Sequence, residues 1–93
     1  VIVGSVVQQP NDRLDYDFDL TGLFAGDTDE LDSVTVTASP VGLTVTAVVA
    51  GATRAKVWVS DGVDGVEYII QVRMTSVNGR VKEDELIIEI EEF

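Results

Sequence analysis

Apolar and polar residues alternate along most of this chain. In residues 14–20, Leu14, Tyr16, Phe18 and Leu20 alternate with Asp15, Asp17 and Asp19. A period of two puts the apolar side chains on one face and the carboxylates on the other, the pattern of a half-buried strand. Aspartate is a poor strand former, so burial of the apolar face must carry this strand. Residues 33–39 repeat the pattern, with Val34, Val36 and Ala38 against Thr35 and Thr37. Residues 43–49 place Leu43, Val45, Ala47 and Val49 inward. Residues 54–60 place Ala55, Val57 and Val59 inward and Lys56, Trp58 and Ser60 outward. A short apolar run, residues 1–7, reads as a first, edge-type strand that Gly4 allows to bend. Turn chemistry separates these runs at residues 8–12, 40–42 and 61–65. No stretch carries a helical period beyond one short turn within residues 20–25, where Leu23 and Phe24 are expected to close one end of the core.

The longest signal is a hairpin. Val66, Tyr68, Ile70, Val72 and Met74 share one face of its first arm, and Leu86, Ile88 and Ile90 share a face of its return. Directly opposed residues lie on the same face, so parity tests the register. A two-residue Asn78-Gly79 turn sets Ile70 opposite Ile87 and brings glutamates inside. A three-residue loop, Val77-Asn78-Gly79, sets Ile70 opposite Leu86, Tyr68 opposite Ile88 and Val66 opposite Ile90. The second fits, and it predicts a type I turn with Gly79 left-handed in a bulge. It leaves Lys82 and Asp84 on the core-side face beside Met74 and Val72. Either the hairpin tip projects beyond the core, or a further bulge lies in residues 83–85, which would also restore the two-residue turn. Tyr68 is inward near the start of its arm, where it either anchors a corner through its hydroxyl or packs as a core residue.

These runs predict about seven antiparallel strands at sandwich spacing, an all-β immunoglobulin-like β-sandwich. The length of 93 residues suits a single domain over 1–93, and a 45% hydrophobic composition is too apolar for a disordered chain. Charge narrows the partners. With 17 acidic and 6 basic residues, the net charge of −11 repels nucleic acids and anionic membranes and favours basic partners, or serves solubility alone. There is no Cys and no His, which removes thiolate chemistry and the commonest general base and metal ligand. No apolar run has the length of a membrane span, and no signal-peptide pattern is visible.

Candidate chemistry is sparse. Asp15, Asp17 and Asp19 form either a docking face for a basic partner or a solvated outer face, with Lys56 on the neighbouring strand offsetting part of their charge. Asp27, Asp29 and Asp32 are hard oxygen ligands of the kind that hold Ca²⁺, but their spacing lacks the glycine and glutamate of an EF-hand loop, so no metal is assigned. Trp58, Ile69, Ile87 and Val48 fall on outward faces, either as contacts for another chain or as ordinary exposed residues. No serine or threonine has a recognisable base partner, and no nucleotide, hydrolase or zinc motif occurs. A bare sandwich of this size offers little room for a substrate cleft, so neither an enzyme nor a cofactor is expected.

Two stretches carry a family resemblance. The first is residues 14–20 followed by Leu23-Phe24-Ala25-Gly26-Asp27-Thr28. The second is residues 57–65, followed by Tyr68 and by Thr75-Ser76 to Gly79-Arg80. Together they resemble a family of small phage and prophage proteins encoded among tailed-phage structural genes, some of them described as fibre–tail adaptor or virion-associated proteins. The second stretch is also similar to bacterial and phage immunoglobulin-like domains. Where the family usually carries a glycine pair, this chain has Asp61-Gly62. The resemblance implies a non-enzymatic structural component of a tailed-phage virion, an adaptor, decoration or accessory protein of tail or capsid. Its partners would be other virion proteins and, in a symmetric particle, copies of itself. The alternative is a Ca²⁺- or carbohydrate-binding adhesion module of a larger surface protein.

Overall fold

The computed structural model describes residues 2–20 and 29–92. Seven strands occur among them: β1 (Ile2–Gln8), β2 (Leu14–Asp19), β3 (Leu31–Ser39), β4 (Thr44–Gly51), β5 (Arg54–Ser60), β6 (Glu67–Ser76) and β7 (Val81–Ile90). They form two sheets, one of order β1-β7-β6-β3 and one of order β2-β5-β4. The molecule measures 44 × 20 × 19 Å. Ten-residue β6 and β7, at about 3.3 Å per residue, fit only along the long axis. The orders β7-β6-β3 and β2-β5-β4 are those of the G-F-C and B-E-D strands of a constant-type immunoglobulin arrangement. This likeness is one of strand order. Leu23, Phe24 and the short turn expected near them lie outside the described residues, apart from Leu20, which is buried in the core.

One pairing departs from the expected antiparallel set. β1 runs parallel to β7, with Val6 opposite Ile88 and Gln8 opposite Ile90. The chain leaves β1 through a turn in which the Asp12 N–H donates to the Gln9 carbonyl, and it enters the other sheet as β2. A strand whose neighbour is not reached by a hairpin has no obligation to run antiparallel to it.

The hairpin register is the three-residue solution. Ile70 faces Leu86 and Tyr68 faces Ile88, and the same register runs unbroken to Thr75 opposite Val81. The Gly79 N–H donates to the Ser76 carbonyl at 3.0 Å, and Gly79 has a φ of +90°, as a type I turn with a glycine bulge requires. At the other end, the Ile90 N–H donates to the Val66 carbonyl at 3.1 Å. No bulge lies in residues 83–85. Nor does the tip stand clear of the core, because Met74 opposite Lys82 and Val72 opposite Asp84 are both buried.

The core fills the space between the sheets. Val57, Val59, Ile70, Val72 and Ile88 have no exposed surface. Val34, Val36 and Ala38 of β3 and Val45 and Ala47 of β4 are half-buried against it. Two residues expected inward are largely exposed, Leu14 and Val49. Their parity is right, since they pair with the buried Val59 and Ala55. They sit at the ends of the two edge strands of the smaller sheet, where no neighbour covers them. Tyr68 does anchor a corner. Its hydroxyl oxygen accepts the Val63 N–H at 3.2 Å, five residues back along the chain.

Candidate functional site

The outer face of the smaller sheet carries the expected acidic row. β2 pairs antiparallel with β5, placing Asp15 opposite Trp58, Asp17 opposite Lys56 and Asp19 opposite Arg54. Lys56 Nζ lies 2.9 Å from Asp15 and 3.8 Å from Asp17. That hydrogen bond from Lys56 holds the Asp15 carboxyl below its ordinary value against the opposing effect of burial. The same bond, with the charges of Asp15 and Asp17, raises the Lys56 ammonium. Trp58 is half-buried, with the Arg13 guanidinium 4.2 Å above its ring and Lys56 at 5.9 Å. One face of the smaller sheet thus joins Asp15, Asp17, Asp19 and Trp58 into one surface. Val48, opposite Lys56 on β4, is exposed on this same face, and the other two outward candidates, Ile69 and Ile87, pair with each other on the far side of the sandwich, on the outer face of the larger sheet.

Below β2 lies an open cleft of about 510 Å³, walled by residues 15–19 of β2 and by Asp84 and Leu86 of β7. Asp84 is the charged residue that the hairpin register forced inward. It is 6% exposed, and its Oδ1 has no hydrogen-bond partner. Lys82 Nζ forms an ion pair with that oxygen at 3.2 Å.

Other buried polar residues are fully engaged. The Asp29 side chain has no exposed surface; its Oδ1 accepts the N–H groups of Glu30 and Asn78, each at 3.0 Å, and its Oδ2 meets Arg80 at 3.1 Å. Burial raises the Asp29 carboxyl, but the Ser76 hydroxyl, these two N–H groups and the Arg80 charge outweigh it and leave the group below its ordinary value. Asp29 therefore ties the tip of the β6–β7 hairpin to the chain entering β3. The Val77 N–H, which donates to the Glu30 carbonyl, completes the tie. Asp32 is exposed and Asp27 lies outside the described residues. Among the described residues, no group of three or more potential ligands comes together to hold a metal. Gln8, in the turn chemistry after the first strand, is 1% exposed. Its amide donates to the Val59 and Asp12 carbonyls and accepts the Tyr16 hydroxyl at 2.8 Å, bridging the two sheets. Burial in turn raises the Tyr16 hydroxyl's pKa. Nothing in the local pattern marks Gln8 for burial, because the contact that draws it between the sheets is to Val59, on a distant strand.

A family model described as the podophage GP4 fiber-tail adaptor protein gp77 matches residues 8–89. That span reaches from the last residue of β1 almost to the end of β7. The chain belongs to the podophage GP4 fiber-tail adaptor family. It is therefore a structural protein of the phage tail and a component of the virion. No curated protein matches the chain. A fiber-tail adaptor implies interaction with other virion proteins. The matched span contains the acidic row, Trp58, the Ile69–Ile87 pair, the cleft beside Asp84 and the Asp29 tie.

Proposed function

We propose that this protein is a non-enzymatic adaptor, one immunoglobulin-like domain, that joins tail and fibre components through opposite faces of its sandwich. The observation that carries the reading is the separation of two unlike surfaces. Asp15, Asp17, Asp19 and Trp58 share the outer face of the smaller sheet, and Ile69 and Ile87 pair on the outer face of the larger one. A face of carboxylates interleaved with Lys56, Arg54 and Arg13 around a central aromatic suits a partner that meets it with charged and polar groups, and a small apolar patch suits a different one. Copies of the chain in a symmetric particle would multiply modest single contacts into firm attachment.

Phage particles assembled with variant chains test this. Changing Asp15, Asp17 and Asp19 together to Asn should lower the amount of the chain in purified particles by about tenfold, and Ile69→Glu should do so separately. Normal incorporation of both folded variants would overturn the reading.

A further inference from the structure

We propose that the outer edge of β4 is a self-association site, where a second copy of this chain adds its own β4 antiparallel and joins the two smaller sheets into one. The contact is a property of the chain alone and does not rest on the adaptor reading.

The distribution of charge carries it. All 17 acidic and 6 basic residues lie outside residues 33–53. The fold turns that uncharged stretch into most of β3 and all of β4, which lie side by side, each at the edge of its own sheet. β4 pairs with β5 on one side, and no strand pairs its other edge among the described residues. Sheet edges are ordinarily guarded by charge, proline or a bulge, because their unpaired N–H and C=O groups accept another strand. β2, the opposite edge of the same sheet, has Asp15, Asp17 and Asp19, and β1 has a register shift between Ile2 and Gly4. From Thr44 to Val49, β4 has no such guard: its register is unbroken, and Val48 and Val49 are exposed. The edge also stands away from the rest of the chain. Leu20 and Leu31 donate their N–H groups to the Thr53 and Ala52 carbonyls, beside the Gly51 end of β4. Residues 21–28 join those points, and a chain of that length reaches roughly 15 Å out and back. Thr44 lies roughly 23 Å from Gly51 along the strand. β1, the first strand, is at the far edge of the larger sheet from β3.

Charge and pattern both select a second copy as the occupant. Two chains of net charge −11 repel each other, and the repulsion is least where neither presents a charge. A strand pairs antiparallel with its own copy about a two-fold axis, with inner face beside inner face. With Thr46 on that axis, Thr46 meets itself, Val45 meets Ala47 of the second copy, and Thr44 meets Val48. Threonine pairs and β-branched neighbours are favourable across strands, and no like charges face one another. The half-buried Val45 and Ala47 then continue across the axis as one apolar row.

Sedimentation equilibrium of the full chain tests this. At about 0.15 M salt the chain should dimerise with a dissociation constant below about 100 μM, and the dimer should tighten at about 0.5 M salt as the general repulsion is screened. Thr46→Lys combined with Val48→Lys makes the net charge less negative, yet sets lysine against lysine at the edge. It should weaken the dimer by at least about tenfold. Ser5→Lys combined with Gln71→Lys makes the same charge change at exposed positions of the larger sheet and should not weaken it. Hydrogen exchange of the unsubstituted chain needs no variant: amides among residues 44–49 should slow as concentration rises. Four results overturn the proposal: a monomer at about 1 mM, a dimer kept by the β4 variant, equal weakening by both variants, or concentration-dependent slowing only outside β4.

Discussion

At the scale of single residues, Asp61 and Gly62 show how two neighbours can favour glycine for different reasons. Asp61 has a φ of +64°, a left-handed conformation that crowds any side chain. Gly62 is limited by space, because a Cβ there would overlap the Ile90 side chain. The glycine pair usual in resembling proteins satisfies both demands, and this chain satisfies only the second. Asp61→Gly is therefore expected to stabilise the fold by up to about 1 kcal/mol, the relieved strain less the added entropy of the unfolded chain. A rise in the urea midpoint at unchanged slope would show it, and a fall would contradict the strain argument. The conformation of Asp61 was not legible in advance, since aspartate suits several kinds of turn. Gln8 and Asp29 were equally opaque. Each is a polar residue of a type normally found outside, and each is buried by contacts that include residues far away in the chain.

At the scale of elements, the β6–β7 hairpin was the most legible part of the molecule. Its arms are long, and without a bulge in the return arm only one loop length reconciles their apolar faces. Parity then fixed Ile70 against Leu86 and the left-handed Gly79 together. A Cβ at Gly79 would meet nothing within 4 Å, so Gly79→Ala tests the backbone alone. It should destabilise by about 1–2 kcal/mol. Gly51→Ala is the matched control, since its Cβ also meets open space and its φ is not positive. That change should be neutral or slightly stabilising in the same urea measurement. What parity could not supply was cover. It placed Leu14 and Val49 on the inner face correctly, but edge-strand ends leave them exposed. It also placed Asp84 inward, which the pattern alone could explain only as a projecting tip or a bulge. The structure has neither, and instead opens a cleft beneath β2.

At the scale of the whole molecule, a net charge of −11 opposes the compact state while specific pairs support it. Raising salt from about 0.02 M to about 0.5 M should raise the melting temperature by a few degrees, because screening relieves the general repulsion. Acid acts through particular groups. Asp15 and Asp29 have folded pKa values lowered from 3.8. The unfolded chain therefore binds their protons more readily. Their stabilisation is complete above the unfolded value and is lost as pH falls through 3.8 toward the lowered folded values. Lys56 works in the opposite direction. Its raised pKa keeps its contribution intact below 10.5, with loss only in more alkaline solution. Urea midpoints measured between about pH 6 and about pH 3, at high salt to mute the general repulsion, should show this acid limb. The limb should be shallower in Asp29→Asn, and an unchanged slope would argue against the Asp29 tie.

The sequence by itself determined the strands, their inner faces and the acidic character of β2, and it narrowed the hairpin register to two solutions between which the structure decided, because a period of two and a turn offset are local properties of the chain. It also carried the motifs that led to the adaptor family. Only the tertiary structure decided that β1 runs parallel to β7, that Gln8 bridges the sheets, and that Asp29 clamps the hairpin tip. It alone brought Asp84 and β2 to the same cleft. These features join residues far apart in the chain, and their energies depend on what covers each group. Alternation assigns a face to each side chain but does not say whether another strand lies over it.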